Sequence, residues 1–193
     1  MRKYLLVATV VLLTALHVSA QTGLKSGVSA PEFAATDNSG KTLVLKDLLK
    51  KHKAVVLFFY RGQWCPYCNK HIQQLQDSLQ TLTEKGAYVV GVTPETADNI
   101  NKTIEKTHAS FSIIEDKGYK IMQAYKVNYK VDDGLYAKLK SYGVDLEKNN
   151  GNLDHVLPVP ATYVIDNTGK IVFVHFDKDY TKRASVSEIA KHI

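Results

Sequence analysis

The sequence predicts an α/β fold: a three-layer sandwich with a mixed central sheet and helices on both faces. Three observations predict it. Residues 54–60, AVVLFFY, form an unbroken apolar run, which is typical of a strand covered on both faces. A helical stripe and a second apolar strand at 87–92 follow, which indicates a right-handed crossover between parallel strands. Near the end of the chain, ATYVID and IVFVHF flank the turn residues 167–170 and predict a terminal hairpin.

The first 20 residues have the pattern of a secretory signal peptide. Two basic residues precede an apolar run from Tyr4 to about Leu16, and the small residues Val18 and Ala20 stand before the expected cleavage point. The run is shorter than the roughly 20 residues that span a bilayer, so no stable membrane insertion is expected. We therefore expect an exported protein, periplasmic if the source is Gram-negative and otherwise secreted. Residues 21–27 are small and polar and predict a flexible leader.

Residues 28–193 are expected to form one domain, because the remaining length suits a single core better than two. Its charge is mild: the net charge of +6 falls to +4 without Arg2 and Lys3. The lysines are spread along the chain, and no basic run alternates with aromatic residues. Nucleic acid is therefore not an expected partner.

The remaining elements continue the α/β alternation. Asn38-Ser39-Gly40 lies between two short apolar segments and predicts an N-terminal hairpin followed by a helical turn. Apolar residues from Cys68 to Leu82 recur at spacings of three and four, which predicts a helix that ends at Gly86. Helical patterns at 97–108 and 117–125 flank a strand-like FSIIE, and residues 185–193 predict a closing helix.

Residues 127–158 fit this alternation least well and are interpreted as an insertion. It contains a predicted helix at 134–142 and a polar loop at 148–154. A long insertion in a compact domain is usually functional or mobile. Two interpretations stay open, a lid that faces the substrate and a tolerated decoration.

Cys65 and Cys68 are the only cysteines, and three kinds of site are considered for them. A structural disulfide would close a loop of only four residues and would add little stability. A zinc site needs about four ligands, and only His71 lies nearby at helical spacing, so no metal is expected. The third possibility is a redox-active pair, which needs no other cofactor.

The redox interpretation explains where the two cysteines stand. Cys65 falls between a strand and a helix, where free N–H groups and the helix dipole favour a thiolate nucleophile. We expect Cys65 to be accessible to a partner, and Cys68, one turn into the helix, to be the more buried, resolving thiol. Pro66 suits the first helical turn. Trp64 offers a flat apolar surface to a partner chain.

The segment WCPYC between a strand and a helix resembles the active-site motif of the thioredoxin superfamily. A second segment, VPATYVIDNTGKI, is similar to the element that carries a cis-proline opposite the two sulfurs. The resemblance implies that Pro160 is this cis residue and that the backbone of Val159 is exposed to a client strand. Pro66 and Tyr67 would also contact the client.

Two segments, APEFAATDNSG and VVLFFYRGQWCPYC, resemble segments of one branch of this superfamily. That branch contains alkyl hydroperoxide reductase, thiol-specific antioxidant proteins and exported TlpA-like oxidoreductases. In that branch, the peroxide-reacting cysteine of peroxiredoxins corresponds to Cys68. Their activating proline, threonine and later arginine correspond to Arg61, Cys65 and Pro160, so none of the three is retained.

Two further side chains are candidate auxiliary groups. Arg61 is a candidate source of the missing positive charge or a cap of the sheet end. The buried acid of thioredoxins corresponds to Phe59, so Glu95 in the VTPET turn is a candidate substitute, against the simpler role of a helix N-terminal acid.

Three functions therefore compete. The first is exported thiol-disulfide exchange with client proteins, which needs a membrane-borne redox donor or acceptor outside the cytosolic thiol pool. The second is a peroxiredoxin-like thiol peroxidase that reduces hydroperoxides. The third is a non-enzymatic binding or chaperone-like module. The sequence leaves the direction of electron flow open.

Overall fold

The structure, a computed structural model, describes residues 22–193, so the predicted signal peptide at 1–20 lies outside the described residues. The strands are β1 Ala34–Thr36, β2 Thr42–Val44, β3 Ala54–Phe59, β4 Ala87–Thr93, β5 Ser112–Glu115, β6 Asn128–Lys130, β7 Val156–Pro158, β8 Ala161–Asp166 and β9 Ile171–Phe176. The helices are α1 Leu45–Lys51, α2 Pro66–Asp77, α3 Leu79–Glu84, α4 Ala97–Thr107, α5 Lys120–Ala124, α6 Asp133–Ser141, α7 Leu146–Asn150 and α8 Val186–Ala190.

The central sheet has five strands in the order β5-β4-β3-β8-β9. β3 runs parallel to β4, and β4 runs parallel to β5. β8 is antiparallel to both β3 and β9. The predicted mixed sheet, crossover unit and terminal hairpin are therefore confirmed.

Helices cover both faces of the sheet, as a three-layer sandwich requires. Side chains of β3 alternate between two buried clusters: Val55, Leu57 and Phe59 face α1 and α5. Val56 and Phe58 face the opposite side, where α2, α4 and α8 pack. Because successive side chains of a strand point to opposite faces, the apolar run at 54–60 supplies both cores.

The N-terminal hairpin is present as β1 and β2, joined by a turn at Asp37. The Asp37 carboxylate accepts bonds from the backbone N–H groups of Ser39 and Lys41 and from the hydroxyl of Ser112 on β5, so it ties the turn to the sheet.

The residues that the sequence predicts as a flexible leader bond to the rest of the domain where the structure describes them. The Gly23 N–H donates to the Lys126 carbonyl, and the Gly27 N–H donates to the Ile171 carbonyl. The side chain of Tyr163 accepts a further bond from the Leu24 N–H. Small polar residues therefore lie along the sheet edge and satisfy its backbone groups.

The predicted long helix at 68–82 is divided at Ser78, whose backbone leaves helical geometry with φ −106° and ψ 7°. Its apolar stripe continues across the break, because Leu75 of α2 and Leu82 of α3 enter the same core.

The insertion at 127–158 folds into a small unit. β6 and β7 pair as an antiparallel hairpin, with α6 and α7 between them. Val131, Leu146 and Leu157 form its buried centre, and Trp64 packs against them. The insertion therefore lies directly beside the cysteine motif.

Within residues 22–193, we find no helix long and apolar enough to cross a membrane.

Candidate active site

Cys65 is the residue that caps the N-terminus of α2. Its sulfur accepts the Cys68 backbone N–H at 3.3 Å, and its carbonyl accepts the N–H groups of Cys68 and Asn69. Pro66 follows as the first helical residue, where a missing N–H costs nothing. The strand-to-helix placement predicted for the motif is confirmed.

The two sulfurs face each other across the first helical turn. Cys65 Sγ and Cys68 Sγ are 2.6 Å apart and both cysteines are free, so the Cys68 thiol donates to Cys65. The Cys65 sulfur also accepts a bond from Arg61 Nη2 at 3.4 Å. The Cys65 sulfur therefore accepts three hydrogen bonds, one of which comes from the Cys68 thiol.

This asymmetry separates the acidities of the two thiols. The hydrogen bond from the Cys68 thiol, the charge and N–H of Arg61 and the Cys68 backbone N–H lower the pKa of Cys65 to about 5, although burial opposes them. Burial, with the adjacent Cys65 sulfur, holds the pKa of Cys68 well above its usual range. At neutral pH, Cys65 is the thiolate and Cys68 carries the proton.

The expectation that Cys65 is accessible is wrong for this conformation. Cys65 is 0% exposed and Cys68 is 1% exposed. The covering side chains come from separate parts of the chain. The Arg61 guanidinium lies 3.8 Å from the ring centroid of Tyr180 and 5.0 Å from that of Trp64. Because a thiolate without contact with water is stable only beside hydrogen-bond donors, the side chains that cover Cys65 include Arg61, which is also one of its donors.

Arg61 is thus placed beside the reacting sulfur and not merely at the sheet end. Its side chain is only 8% exposed. A buried guanidinium requires a negative partner, and the Cys65 thiolate supplies it. The candidate auxiliary role of Arg61 therefore has a structural basis.

The two aromatic residues of the motif have different surroundings. Tyr67 is 43% exposed, and its ring contacts that of Tyr180 with centroids 5.8 Å apart. Trp64 is partly buried against the insertion, so its predicted flat surface is covered by the chain itself. Pro66 and Tyr67 are both exposed at this edge.

The predicted client-binding backbone at Val159 and Pro160 does not have the expected form. The Val159–Pro160 peptide bond is trans, and both residues are buried. The Val159 N–H donates to the Val127 carbonyl at 2.7 Å. The hairpin of the insertion therefore takes the backbone group that was expected to meet a client strand.

Glu95 stands two residues before the start of α4, and its side chain lies within the site. It is fully buried, and its Oε2 accepts the Gln63 N–H at 2.8 Å. Burial raises the pKa of Glu95 to about 8, and the neighbouring Cys65 charge contributes in the same direction. Gly62 lies beside it, since a Cβ there would stand 2.5 Å from Glu95 Oε1. A carboxyl that is largely protonated at neutral pH is equipped to store a proton near the cysteine pair.

Comparison with known proteins identifies the family. Residues 26–174 match the AhpC/TSA family. The chain belongs to the AhpC/TSA family. This redoxin is 28% identical over 150 residues to the thiol-disulfide oxidoreductase ResA of Bacillus cereus, which covers 77% of this chain and 68% of ResA. It is 26% identical over 170 residues to chloroplastic peroxiredoxin Q of Triticum aestivum, which covers 88% of this chain and 67% of that protein.

A solved structure shares the fold of this redoxin. Peroxidoxin BcpB from Mycobacterium tuberculosis superposes with a TM-score of 0.65 at 20% identity, covering 86% of this chain and 94% of that one. The resemblance to the redoxin branch is confirmed, and the chain is an oxidoreductase of that family. The hypothesis of a non-enzymatic module is therefore set aside.

Three residues of this redoxin site were not found from the sequence. Tyr129 on β6 lies beside Arg61, which opposes the rise that burial causes in the pKa of Tyr129. Tyr180 covers Arg61, and Arg183 Nη2 lies 3.5 Å from Cys68 Sγ. Tyr129 lies in the insertion, for which a lid facing the substrate was one of the two interpretations of the sequence. Tyr180 and Arg183 stand in a polar segment far from the motif and carry no local pattern.

Arg61→Met should raise the pKa of Cys65 by about one to three units, because the variant removes a positive charge and a donor from a buried thiolate. The ultraviolet absorbance of the thiolate, followed during a pH titration of the Cys68→Ser protein, measures this change without a reagent that must enter the site. Lys70→Met, on the exposed side of α2, is the control of equal charge and should leave the titration unchanged. An unshifted pKa in Arg61→Met would refute the assigned role.

Glu95→Gln should change the pH dependence of stability. Because the pKa of Glu95 is about 8 when folded and near 4.5 when unfolded, the folded state binds the extra proton in that window. The contribution of Glu95 to the free energy of unfolding should therefore fall as pH rises through it. Cys65 and His71, whose pKa values are lowered in the folded state, contribute in the opposite sense in both proteins, so the difference between the two proteins is the quantity to measure. In urea unfolding at about pH 5 and about pH 8, the free energy of unfolding of the wild type should fall by about 3 kcal/mol relative to that of Glu95→Gln.

Glu105→Gln provides the control for that experiment, because Glu105 is exposed on α4. It should retain the slope of the wild type. Equal slopes in the wild type and Glu95→Gln would show that Glu95 is ionised throughout.

Proposed function

We propose that this redoxin is a thiol-disulfide oxidoreductase that exchanges disulfides with client proteins through Cys65 and Cys68. One observation carries the proposal: Cys65 Sγ accepts from three donors, which are Arg61 Nη2, the Cys68 backbone N–H and the Cys68 thiol, and these donors favour a thiolate at Cys65. A nucleophile followed one turn later by a protonated partner is the arrangement that disulfide exchange requires.

The proposed reaction has two steps. The Cys65 thiolate attacks one sulfur of a client disulfide; a Cys65–client bond forms, and the other client sulfur leaves as a thiolate that takes a proton from water. Cys68 then loses its proton to water and attacks Cys65, which releases the second client sulfur. The client is reduced by two electrons, and Cys65 and Cys68 end as a disulfide. The reverse sequence oxidises a client.

Access of a protein client requires the cover to move. Tyr180 and Tyr129 lie against Arg61, the ring of Tyr67 contacts that of Tyr180, and both Pro66 and Tyr67 are exposed. In this proposal a client first contacts Pro66 and Tyr67, and displacement of the Tyr180 ring then opens a path to Cys65. Val159 and Pro160 would contact a client only after the insertion hairpin has withdrawn.

The name of ResA, a thiol-disulfide oxidoreductase, supports thiols or disulfides as substrates. The N-terminal pattern at 1–20 supports export. An exported enzyme of this type would need a membrane-borne redox donor or acceptor, because the cytosolic thiol pool is absent outside the inner membrane.

Reduction of hydroperoxides is the second candidate function. The burial of both sulfurs favours it, because a small peroxide needs less opening than a protein client. In that reaction a thiolate attacks the terminal peroxide oxygen, the O–O bond breaks, and the other oxygen leaves as an alkoxide or hydroxide that takes a proton from water. The sulfenic acid that results condenses with the thiol of the other cysteine to give a disulfide and water. The resemblance to peroxiredoxins assigns the first attack to Cys68.

The cysteine variants should separate the two functions. Cys65→Ser should abolish reduction of an insulin-type disulfide, because it removes the only stabilised thiolate. Cys68→Ser should accumulate a client covalently attached to Cys65, because the resolving thiol is absent. Non-reducing electrophoresis and mass spectrometry measure the amount of this conjugate, and the identity of the trapped client also reveals the direction of electron flow. Rapid turnover of hydrogen peroxide that survives Cys65→Ser and is lost in Cys68→Ser would instead establish the peroxidase.

Export predicts a mature protein that begins at Gln21. Mass spectrometry of the protein recovered from the periplasm of an expressing Gram-negative bacterium should give that mass. Full-length protein retained in the cytoplasm would contradict the proposal.

A further inference from the structure

A second guanidinium lies against the second sulfur. Arg183 Nη2 is 3.5 Å from Cys68 Sγ, although the two residues are 115 positions apart. Arg183 belongs to the segment Asp177–Ala184 between β9 and α8, which we term the C-terminal strap. The proposed reaction has so far assigned no role to Arg183.

The strap holds Arg183 in a fixed orientation. Arg183 Nη1 donates to the carbonyls of Tyr180 and Lys182, which leaves Nη2 directed at the sulfur. On the C-terminal side, Ala184 is 1% exposed and packs in the core that contains both cysteines. Ser185 and Glu188 form a capping box at the start of α8, which anchors that end of the strap. Since the guanidinium is rigid and planar, these contacts determine its direction.

Cys68 needs such a cation when it reacts. In the resting pair, burial and the Cys65 charge both oppose ionisation of Cys68. Once Cys65 is bonded to a client, its negative charge is gone and the burial cost remains. Arg183 is the nearby charge that lowers the pKa of Cys68.

The histidines beside Arg183 do not replace it. Burial lowers the pKa of His71, one turn further along α2, to about 3, and Arg183 and His175 of β9 add to that effect. His71 is therefore neutral at neutral pH. Arg61 donates to Cys65, the other sulfur. Tyr60, directly after β3, and Tyr129 of β6 also face Cys68, and Asp179 of the strap faces Arg183.

We propose that Arg183 is a further catalytic residue, which stabilises the Cys68 thiolate while it attacks the mixed disulfide on Cys65. This inference rests on the proposed exchange reaction. Cys68 gives its proton to water, its electron pair forms the bond to Cys65 Sγ, and the Cys65–client bond breaks with its electrons on the client sulfur. Arg183 supplies positive charge to the attacking sulfur, and Arg61 supplies it to the sulfur that is attacked.

An aromatic disulfide, dithiobis(nitrobenzoate), tests this in one experiment, because it releases one coloured thiolate at each step. Attack by Cys65 releases the first, and resolution by Cys68 releases the second. Arg183→Met should slow the second release by about threefold to about thirtyfold. This range follows because a rise of one to three units in thiol pKa reduces the thiolate fraction more than it increases nucleophilicity. The first release should stay within about twofold of the wild type.

Three further variants make the comparison specific. Arg183→Lys should recover part of the second rate, because it restores the charge without the planar fork. Arg61→Met should slow mainly the first release. Lys178→Met, an exposed lysine of the same strap, should change neither. The pH at which the second release reaches half its maximum rate should rise in Arg183→Met alone.

The outcomes distinguish this inference from the proposed function. A second release at the wild-type rate in Arg183→Met, with circular dichroism and the first release unchanged, overturns the role of Arg183 and leaves the exchange reaction standing. If Arg183→Met does not fold, the neutral and polar Arg183→Gln decides, since a second release and pH profile equal to those of the wild type would show that the positive charge is not needed. Absence of either release in the wild-type protein overturns the exchange reaction itself.

Discussion

The site depends on one constraint, which is that a negative charge must be stable on a sulfur that water does not reach. A thiolate at 0% exposure loses its hydration, and only fixed donors can replace it. The N-terminus of α2 supplies a backbone N–H, Cys68 supplies its proton, and Arg61 supplies a full charge. Without these three donors the fold would bury two ordinary thiols with no difference in acidity.

The surrounding structure can be understood from this requirement. A buried guanidinium is itself costly, and aromatic faces accommodate it better than aliphatic groups do. Trp64, Tyr129 and Tyr180 come from three separate segments and converge on Arg61. The insertion and the C-terminal strap therefore serve the same purpose from two separate parts of the chain: they maintain the dry surroundings in which Arg61 and Cys65 interact strongly.

The sequence was informative wherever the determining interactions were local. The apolar run at 54–60, the hairpin around Asn38 and the placement of Cys65 before Pro66 depend on neighbours in the chain, and the structure confirms them. Arg183 could not be predicted, because nothing near it in sequence indicates Cys68 as its neighbour. The exposure of the Val159 backbone was predicted wrongly for the same reason, since its N–H donates to the Val127 carbonyl, which belongs to the distant insertion. The accessibility of Cys65 depends on side chains from three segments and has no local pattern.

The position of the C-terminal strap also has a consequence for folding. All five strands of the central sheet precede Arg183 in the chain. A partly folded chain in which the sheet has formed and the strap has not docked can therefore bring Cys65 and Cys68 together while Cys68 lacks its cation and Arg61 lacks the Tyr180 ring above it. The cysteine pair acquires its final chemistry only when the strap docks.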